Sequence, residues 1–462
     1  MIVELYFYIM TVMLGLKENL KRFIFLSIGY SITIFTKLFS PLVLKSSNSS
    51  IRNVFSFIFF AQGKFFSKAK RIQLALISFK KSRDIVNCSI VNNRIVFIAF
   101  YGKSYSCSPK AIYEEILDDD RFKDFKFMWL FKEPSKYAHL TKEPRTTVGI
   151  YGHWRGLQYF REAKYIVTNF RTKLELIKSP EQVLLQCWHG TPLKKLGLDI
   201  KTPMIGARSE IDEMYFTYVV EGKKIDYFLS PSKYATEKFI SSFGLNVDGN
   251  KIIEEGYPRN DYLKTYPKKD ITKIKNKLNI PNSKKVILYA PTWRDDQHKV
   301  GRGFQFKLNV NLDFLCKHLS KNYVLLLRTH QLVSNELQLS AYSDFVYDVT
   351  DVDDINELYI ISDILVTDYS SVFFDFANLR RPIVFYMPDF DNYKNNLRDF
   401  YLPIEALPGE ITKTESELVN ALENLKKNKD NIQSRLIEFN KDFNYLDDGN
   451  AAKRVIEKVF FQ

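Results

Sequence analysis

The sequence is short of cysteine, short of acid near its start, and without any apolar run of bilayer length. Four cysteines, Cys88, Cys107, Cys187 and Cys316, stand far apart in 462 residues with no CxxC spacing. That argues against a disulfide framework or a zinc site and fits a reducing cytosol. The apolar pieces at 2–16, 23–35, 54–60 and 72–79 all fall short of the roughly 18–20 residues a transmembrane helix needs. Residues 2–16 include Glu4 and lack both a basic start and a small-residue cleavage site, so no signal peptide is expected. Neither an internal repeat nor a low-complexity segment interrupts the chain.

What is present describes a folded protein too long for one core. Hydrophobic residues make up 45% and charged ones 26%, with 38 Phe and 27 Tyr, so two main domains and an appendage are expected. The formal net charge is +14, and its position is informative: up to Asp84, thirteen Lys and Arg face only Glu4, Glu18 and Asp84. Residues 1–84 therefore read as a basic helical segment on an anionic membrane, lysine and arginine at the headgroups and Phe, Leu and Ile below them. A soluble helical domain is the plainer alternative. Nucleic acid is not expected as a partner, because no nucleic-acid motif accompanies the basic residues.

From Ser89 onward short apolar runs alternate with helical patterns. Strands are expected at 95–100, 127–131, 147–150, 165–168, 183–186 and 227–230, and, after the lysines at 268 and 269, at 286–289, 323–327, 345–348, 364–367 and 383–386. Such β–α alternation predicts parallel sheets covered on both faces. The economical architecture is two Rossmann-like halves, 85–265 and 266–462, the second ending in a closing helix, with ligands at the carboxyl ends of the strands.

Polar turns follow several of these strands. Thr367-Asp368-Tyr369-Ser370-Ser371 separates a strand from a helix pattern running to Leu379. Free N–H groups, hydroxyls and a helix dipole would suit a phosphate there, although Ser370 or Ser371 could serve only as an N-cap. Cys187-Trp188-His189-Gly190-Thr191-Pro192-Leu193-Lys194 follows 183–186 and places His189 as a general base for a hydroxyl. Cys187 reads as a small buried residue rather than a thiolate nucleophile. Arg294, Arg328 and His330 follow 286–289 and 323–327 and offer donors to phosphate oxygens. Gly256-Tyr257-Pro258-Arg259-Asn260-Asp261 reads as an interdomain turn within reach of the ligand. The acidic pairs Asp295-Asp296 and Asp353-Asp354 read as solvated turns, so neither a metal nor another cofactor is expected.

Four of these motifs, Trp188–Lys194, Gly256–Asp261, Ala290-Pro291-Thr292-Trp293-Arg294-Asp295 and Thr367–Ser371, occur in an order that resembles the CDP-glycerol glycerophosphotransferase family. The resemblance covers roughly residue 95 to the C-terminus. It implies a GT-B fold and attachment to the inner face of a bacterial membrane. It also implies transfer of an alditol phosphate from CDP-glycerol or CDP-ribitol to a lipid-linked acceptor of teichoic acid or capsule synthesis, releasing CMP. By position, His189 matches the family's base and His330 its second histidine, while Ser370 and Ser371 match the phosphate-binding pair. Asp375 matches a carboxylate accepting from a donor hydroxyl. Arg294, Arg328 and Thr367 join the donor side; Gly190, Thr191, Lys194, Arg259 and Asp261 join the acceptor or interdomain side. A GT-B glycosyltransferase using a nucleotide sugar is the first rival, and a non-catalytic membrane- or polymer-binding protein the second. Glycerol or ribitol, one addition or many, wall polymer or capsule, and the oligomeric state stay open.

Overall fold

The chain divides after Asn87, and the fold described below is that of the unit Cys88–Gln462. A computed structural model describes residues 89–172, 178–201, 211–245, 249, 251–292, 298–299, 303–304, 308–329, 339–390 and 399–461. The basic segment expected at 1–84, with Arg294, Asp295, Asp296 and His330, lies outside the described residues.

Within that unit two all-parallel sheets form. The first holds β1 (Val91–Ile98), β2 (Lys126–Phe131), β3 (Thr146–Ile150), β4 (Ala163–Thr168), β5 (Val183–Gln186), β6 (Tyr227–Ser230) and β7 (Lys251–Glu254) in the order β3-β2-β1-β4-β5-β6-β7. The second holds β8 (Lys285–Ala290), β11 (Tyr323–Leu327), β12 (Val346–Asp348), β13 (Ile364–Thr367), β14 (Ile383–Tyr386) and β15 (Glu410–Thr412), in the order β12-β11-β8-β13-β14-β15. A small antiparallel pair, β9 (His298–Lys299) and β10 (Gly303–Phe304), stands apart from both. Every contact within the two large sheets is parallel. The two-half α/β expectation therefore holds.

Strand periodicity explains how each sheet is covered. Along β1, Ile95 and Phe97 join one core and Val96 and Ile98 the other. Along β8, Val286 and Leu288 face one side, Ile287 and Tyr289 the opposite. Strands buried on both faces must be apolar throughout, which is why they read as runs rather than as alternation. In each sheet the strand order reverses direction beside the first strand, at β1/β4 and at β8/β13. That crevice at the carboxyl ends is where an open parallel sheet accepts ligands.

The closing helix, Ala451–Phe460, departs from its expected place in the second half. Val455, Ile456 and Val459 belong to the core of the first sheet, with Ile112, Phe122 and Phe127. Its first turn is capped from the linker helix Pro258–Thr265: the Asp261 carboxylate accepts from the N–H groups of Ala451 and Ala452 at 3.0 and 2.8 Å. An acid at a helix start satisfies otherwise orphaned donors and meets the positive end of the dipole. Asp261 is thus a structural cap. Among the described residues, no helix is long and apolar enough to cross a membrane.

Candidate active site

His189 stands on a turn that the sequence strains and the core holds. Just past β5, Trp188 adopts φ 49°, a left-handed backbone that costs a bulky residue on the order of 1–3 kcal/mol. Its indole is buried against Phe228, Phe239 and Phe243, and its main-chain N–H donates to the Gln186 side chain at 3.0 Å. The turn presents the imidazole of His189, whose Nδ1 lies 2.8 Å from the main-chain oxygen of Asn169. A carbonyl can only accept, so Nδ1 carries the proton and Nε2 keeps its lone pair. The ring stacks on Phe170 at 4.9 Å and 8°, and meets Phe100 edge-on at 5.8 Å. Burial pushes its pKa down to about 4, against the Asn169 hydrogen bond, and the cations of Arg259 and Arg171 act in the same direction as burial. At neutral pH it is an uncharged ring with a free acceptor nitrogen, as a general base requires.

The opposing wall comes from the second sheet's switch point. Thr367 is fully buried and its hydroxyl donates to the Ala290 carbonyl at 2.7 Å, tying β13 to β8. Asp368 clips the two turns that follow these strands, accepting from Thr292 N–H at 2.8 Å and from Tyr369 N–H at 2.6 Å. Thr367 is therefore a strand tie rather than a donor-facing hydroxyl. Ser370 and Ser371 are partly exposed. Ser371 precedes the helix Val372–Phe376 but makes no side-chain cap bond, so its hydroxyl is not merely a cap. That helix has five residues before a 3-10 turn at Ala377–Leu379, shorter than the apolar pattern suggests. So few aligned peptides sum to a small dipole, and the serine hydroxyls rather than the helix terminus are the donors on offer.

The two walls touch. A Cβ on Gly190 would stand 2.7 Å from Ser371 Oγ and 3.5 Å from Ser371 Cβ. Only a glycine lets the histidine turn come so near the serine turn. Beside this contact residues 193–196 pair with 399–401: Lys194 bridges Phe400, Lys195 N–H donates to Asp399 at 2.9 Å, and Tyr401 N–H donates to Leu193 at 2.8 Å. The Lys194 main chain thus serves as an inter-half strap. Thr191 is buried, only 2% exposed.

Three residues do other work than the sequence suggests. Asp375 does not wait for a donor hydroxyl. Its carboxylate accepts from Arg259 Nη2 and Nε at 2.9 and 3.2 Å and from Asn260 at 3.0 Å. Arg259 and Asp375 are only 5% and 6% exposed, and buried charges of this kind must be paired. Asn260 also donates to Asp447 at 2.7 Å, which accepts further from Asn378 at 2.8 Å and Tyr257 N–H at 3.0 Å. The network joins the linker helix, the serine-bearing helix and the loop before the closing helix. Arg328, likewise, directs Nη1 to the main-chain oxygens of Val349 (2.8 Å) and Val352, so it props a turn. Asp354 caps a helix and pairs with Lys110 at 2.8 Å. Burial pushes the Cys187 thiol well up, which leaves it unreactive.

Asn169 and the rings of Phe100 and Phe170 lie outside every motif, while Asp368 and Asn260 lie inside motifs that assign them no role. Asn169 carried the available signal, a polar residue directly after an apolar strand.

The family profile described as CDP-Glycerol:Poly(glycerophosphate) glycerophosphotransferase matches residues 82–461. The teichoic acid poly(glycerol phosphate) polymerase of Bacillus spizizenii is 40% identical over 79% of this chain and 91% of its own. The teichoic acid glycerol-phosphate transferase of Staphylococcus aureus is also 40% identical, over 80% of this chain and 93% of its own. Among solved structures, the wall teichoic acid polymerase TagF, in a variant soaked with CDPG, superposes with a TM-score of 0.72 at 38% identity, covering 80% of this chain and 89% of that one. Fold, ordered motifs and relatives agree: the chain belongs to the CDP-glycerol:poly(glycerophosphate) glycerophosphotransferase family.

Proposed function

We propose that the protein transfers glycerol phosphate from CDP-glycerol to a hydroxyl of a lipid-linked acceptor, releasing CMP, at the inner face of a bacterial membrane. The observation that carries this reading is a neutral His189 with a free Nε2, set beside the contact of Gly190 with Ser371. The acceptor hydroxyl gives its proton to Nε2 as its oxygen bonds the β-phosphorus. The bond from that phosphorus to the bridging oxygen breaks in line, and CMP leaves with the electron pair. Ser370 and Ser371 donate to the phosphate oxygens as charge develops, and the motif positions of Arg294 and His330, which follow β8 and β11 in sequence, assign them to the same task. The reading calls on no cofactor. Glycerol is favoured over ribitol by the glycerol-phosphate names of both relatives at 40% identity.

The test is CMP release by the detergent-solubilised protein, given CDP-glycerol or CDP-ribitol with a lipid-linked glycerol-phosphate acceptor, with and without a chelator. Acceptor-dependent CMP from CDP-glycerol, insensitive to chelation and abolished in His189→Ala and His330→Ala, is expected. Product length then separates one addition from many. No CMP from either donor, with nucleotide release from a nucleotide sugar instead, would overturn the reading.

A further inference from the structure

We propose that Asn169 is the positioning residue of the His189 base, fixing the ring from one side and the loop that covers it from the other. The inference rests on the reading of His189 given above. Asn169 follows β4 and is fully buried. Its main-chain oxygen accepts Nδ1–H of His189, and its side-chain Oδ1 accepts the N–H of Phe100 at 2.8 Å. Because a backbone N–H only donates, the second bond also sets which way the amide points.

The loop so anchored needs an anchor. Phe100, Tyr101 and Gly102 take φ values of 46°, 57° and 76°, three left-handed residues in a row of which only the last is glycine. Phe100 places its ring edge on His189, and Tyr101 lies 4.1 Å from Phe170, the residue stacked on the imidazole. Residues 169 and 170 therefore hold the tautomer, one ring face and the covering loop together. The Asn169 amide nitrogen, in contrast, is buried with no hydrogen-bond partner. A side chain selected for stability alone would not leave a buried donor unpaired, whereas an acceptor required at Oδ1 brings that nitrogen with it.

The charged groups facing the ring are Arg259 from the linker helix and Arg171 from the loop after β4. The other neighbours in ring contact, Phe100, Phe170 and Trp188, carry no charge. Solvent let in by a loosened loop, or a carboxylate set at position 169, would each favour the imidazolium.

The experiment follows the imidazole directly, by NMR of the full chain labelled with ¹⁵N-histidine, the His189 signal identified by its loss in His189→Gln. The wild-type ring should be the Nδ1–H tautomer with a midpoint at about 4. Asn169→Asp keeps the acceptor for Phe100 and should raise the midpoint by about one unit or more. Asn169→Ala should raise it toward the ordinary value and lower kcat for CMP release about tenfold, with KM for CDP-glycerol unchanged. A wild-type ring in the Nε2–H tautomer, or titrating near its ordinary value, overturns the proposal without any variant having to fold. So does a midpoint that moves in neither variant, even where melting temperature falls. If His189→Gln keeps full CMP release while the ring titrates and shifts as stated, the base reading fails and the positioning role stands.

Discussion

Replacing Gly190 by alanine probes the meeting of the two walls with one methyl group. The added Cβ would lie 2.7 Å from Ser371 Oγ, where ordinary contact begins at 3.4 Å, so about 0.7 Å must be found. Gly190 does not use a left-handed backbone, and alanine carries no torsional penalty there. Relief comes by rotating Ser371 to another staggered well, which moves its hydroxyl by about 2 Å, or by parting the turns by the missing distance. The first costs folding less than about 1 kcal/mol, so the melting temperature should stay within about 4 °C. On the proposed reading, either route carries the hydroxyl away from the donor phosphate. Displacements of this size lower rates about 100-fold, or about 2.7 kcal/mol in kcat/KM for CDP-glycerol. Ser371→Gly supplies the control, since in its background Gly190→Ala meets nothing and should add almost no further loss. Wild-type kcat/KM in Gly190→Ala, or a loss equally large with and without the Ser371 side chain, would refute the steric argument.

Asp375→Ala leaves Arg259 buried and uncompensated, so it should destabilise the fold by about 3–5 kcal/mol in urea titrations; an unchanged midpoint would return Asp375 to the donor site. Cys187→Ala should remain active and the wild-type thiol should resist iodoacetamide in the folded state, because burial keeps it protonated. For pH, the folded pKa of His189 at about 4 lies below its unfolded value. As pH falls from about 6.5 the unfolded chain takes up a proton that the folded chain refuses, and stability drops by up to about 3 kcal/mol by pH 4. Asp261, raised to about 6 by burial, acts with the opposite sign in the same window. The wild-type slope minus that of His189→Gln isolates the histidine, and a difference of zero would contradict its burial.

The strands were legible wherever both faces are buried, because a short apolar run closed by a polar turn is the pattern a doubly covered strand imposes. β7 and β15 escaped: each lies at a sheet edge, is short and is half exposed, with burial on one residue only. The turns after β5 and β13 were legible from chemistry, a histidine or paired serines at a strand end. What composition could not convey was pairing at long range. Arg259 and Asp375 lie 116 positions apart, and each alone looks like a phosphate or hydroxyl ligand until the other is seen to occupy it. Asn169 showed only as a polar residue closing an apolar strand, since its two partners, Phe100 and His189, lie 69 and 20 positions away. The closing helix was legible as a helix, but its partner was not, since an apolar stripe does not name the core it joins.

That helix ties the birth of the protein to its architecture. The ribosome finishes β7 and then makes the whole second sheet before residues 451–460 emerge, roughly 200 residues later, or roughly 10–40 s at bacterial rates. Through that interval the nascent first half lacks Val455, Ile456 and Val459, and its aromatic interior around Phe122 and Phe127 waits half-covered. The half that carries His189 is made first yet completed last, because its core closes only once residues 451–460 have been synthesised.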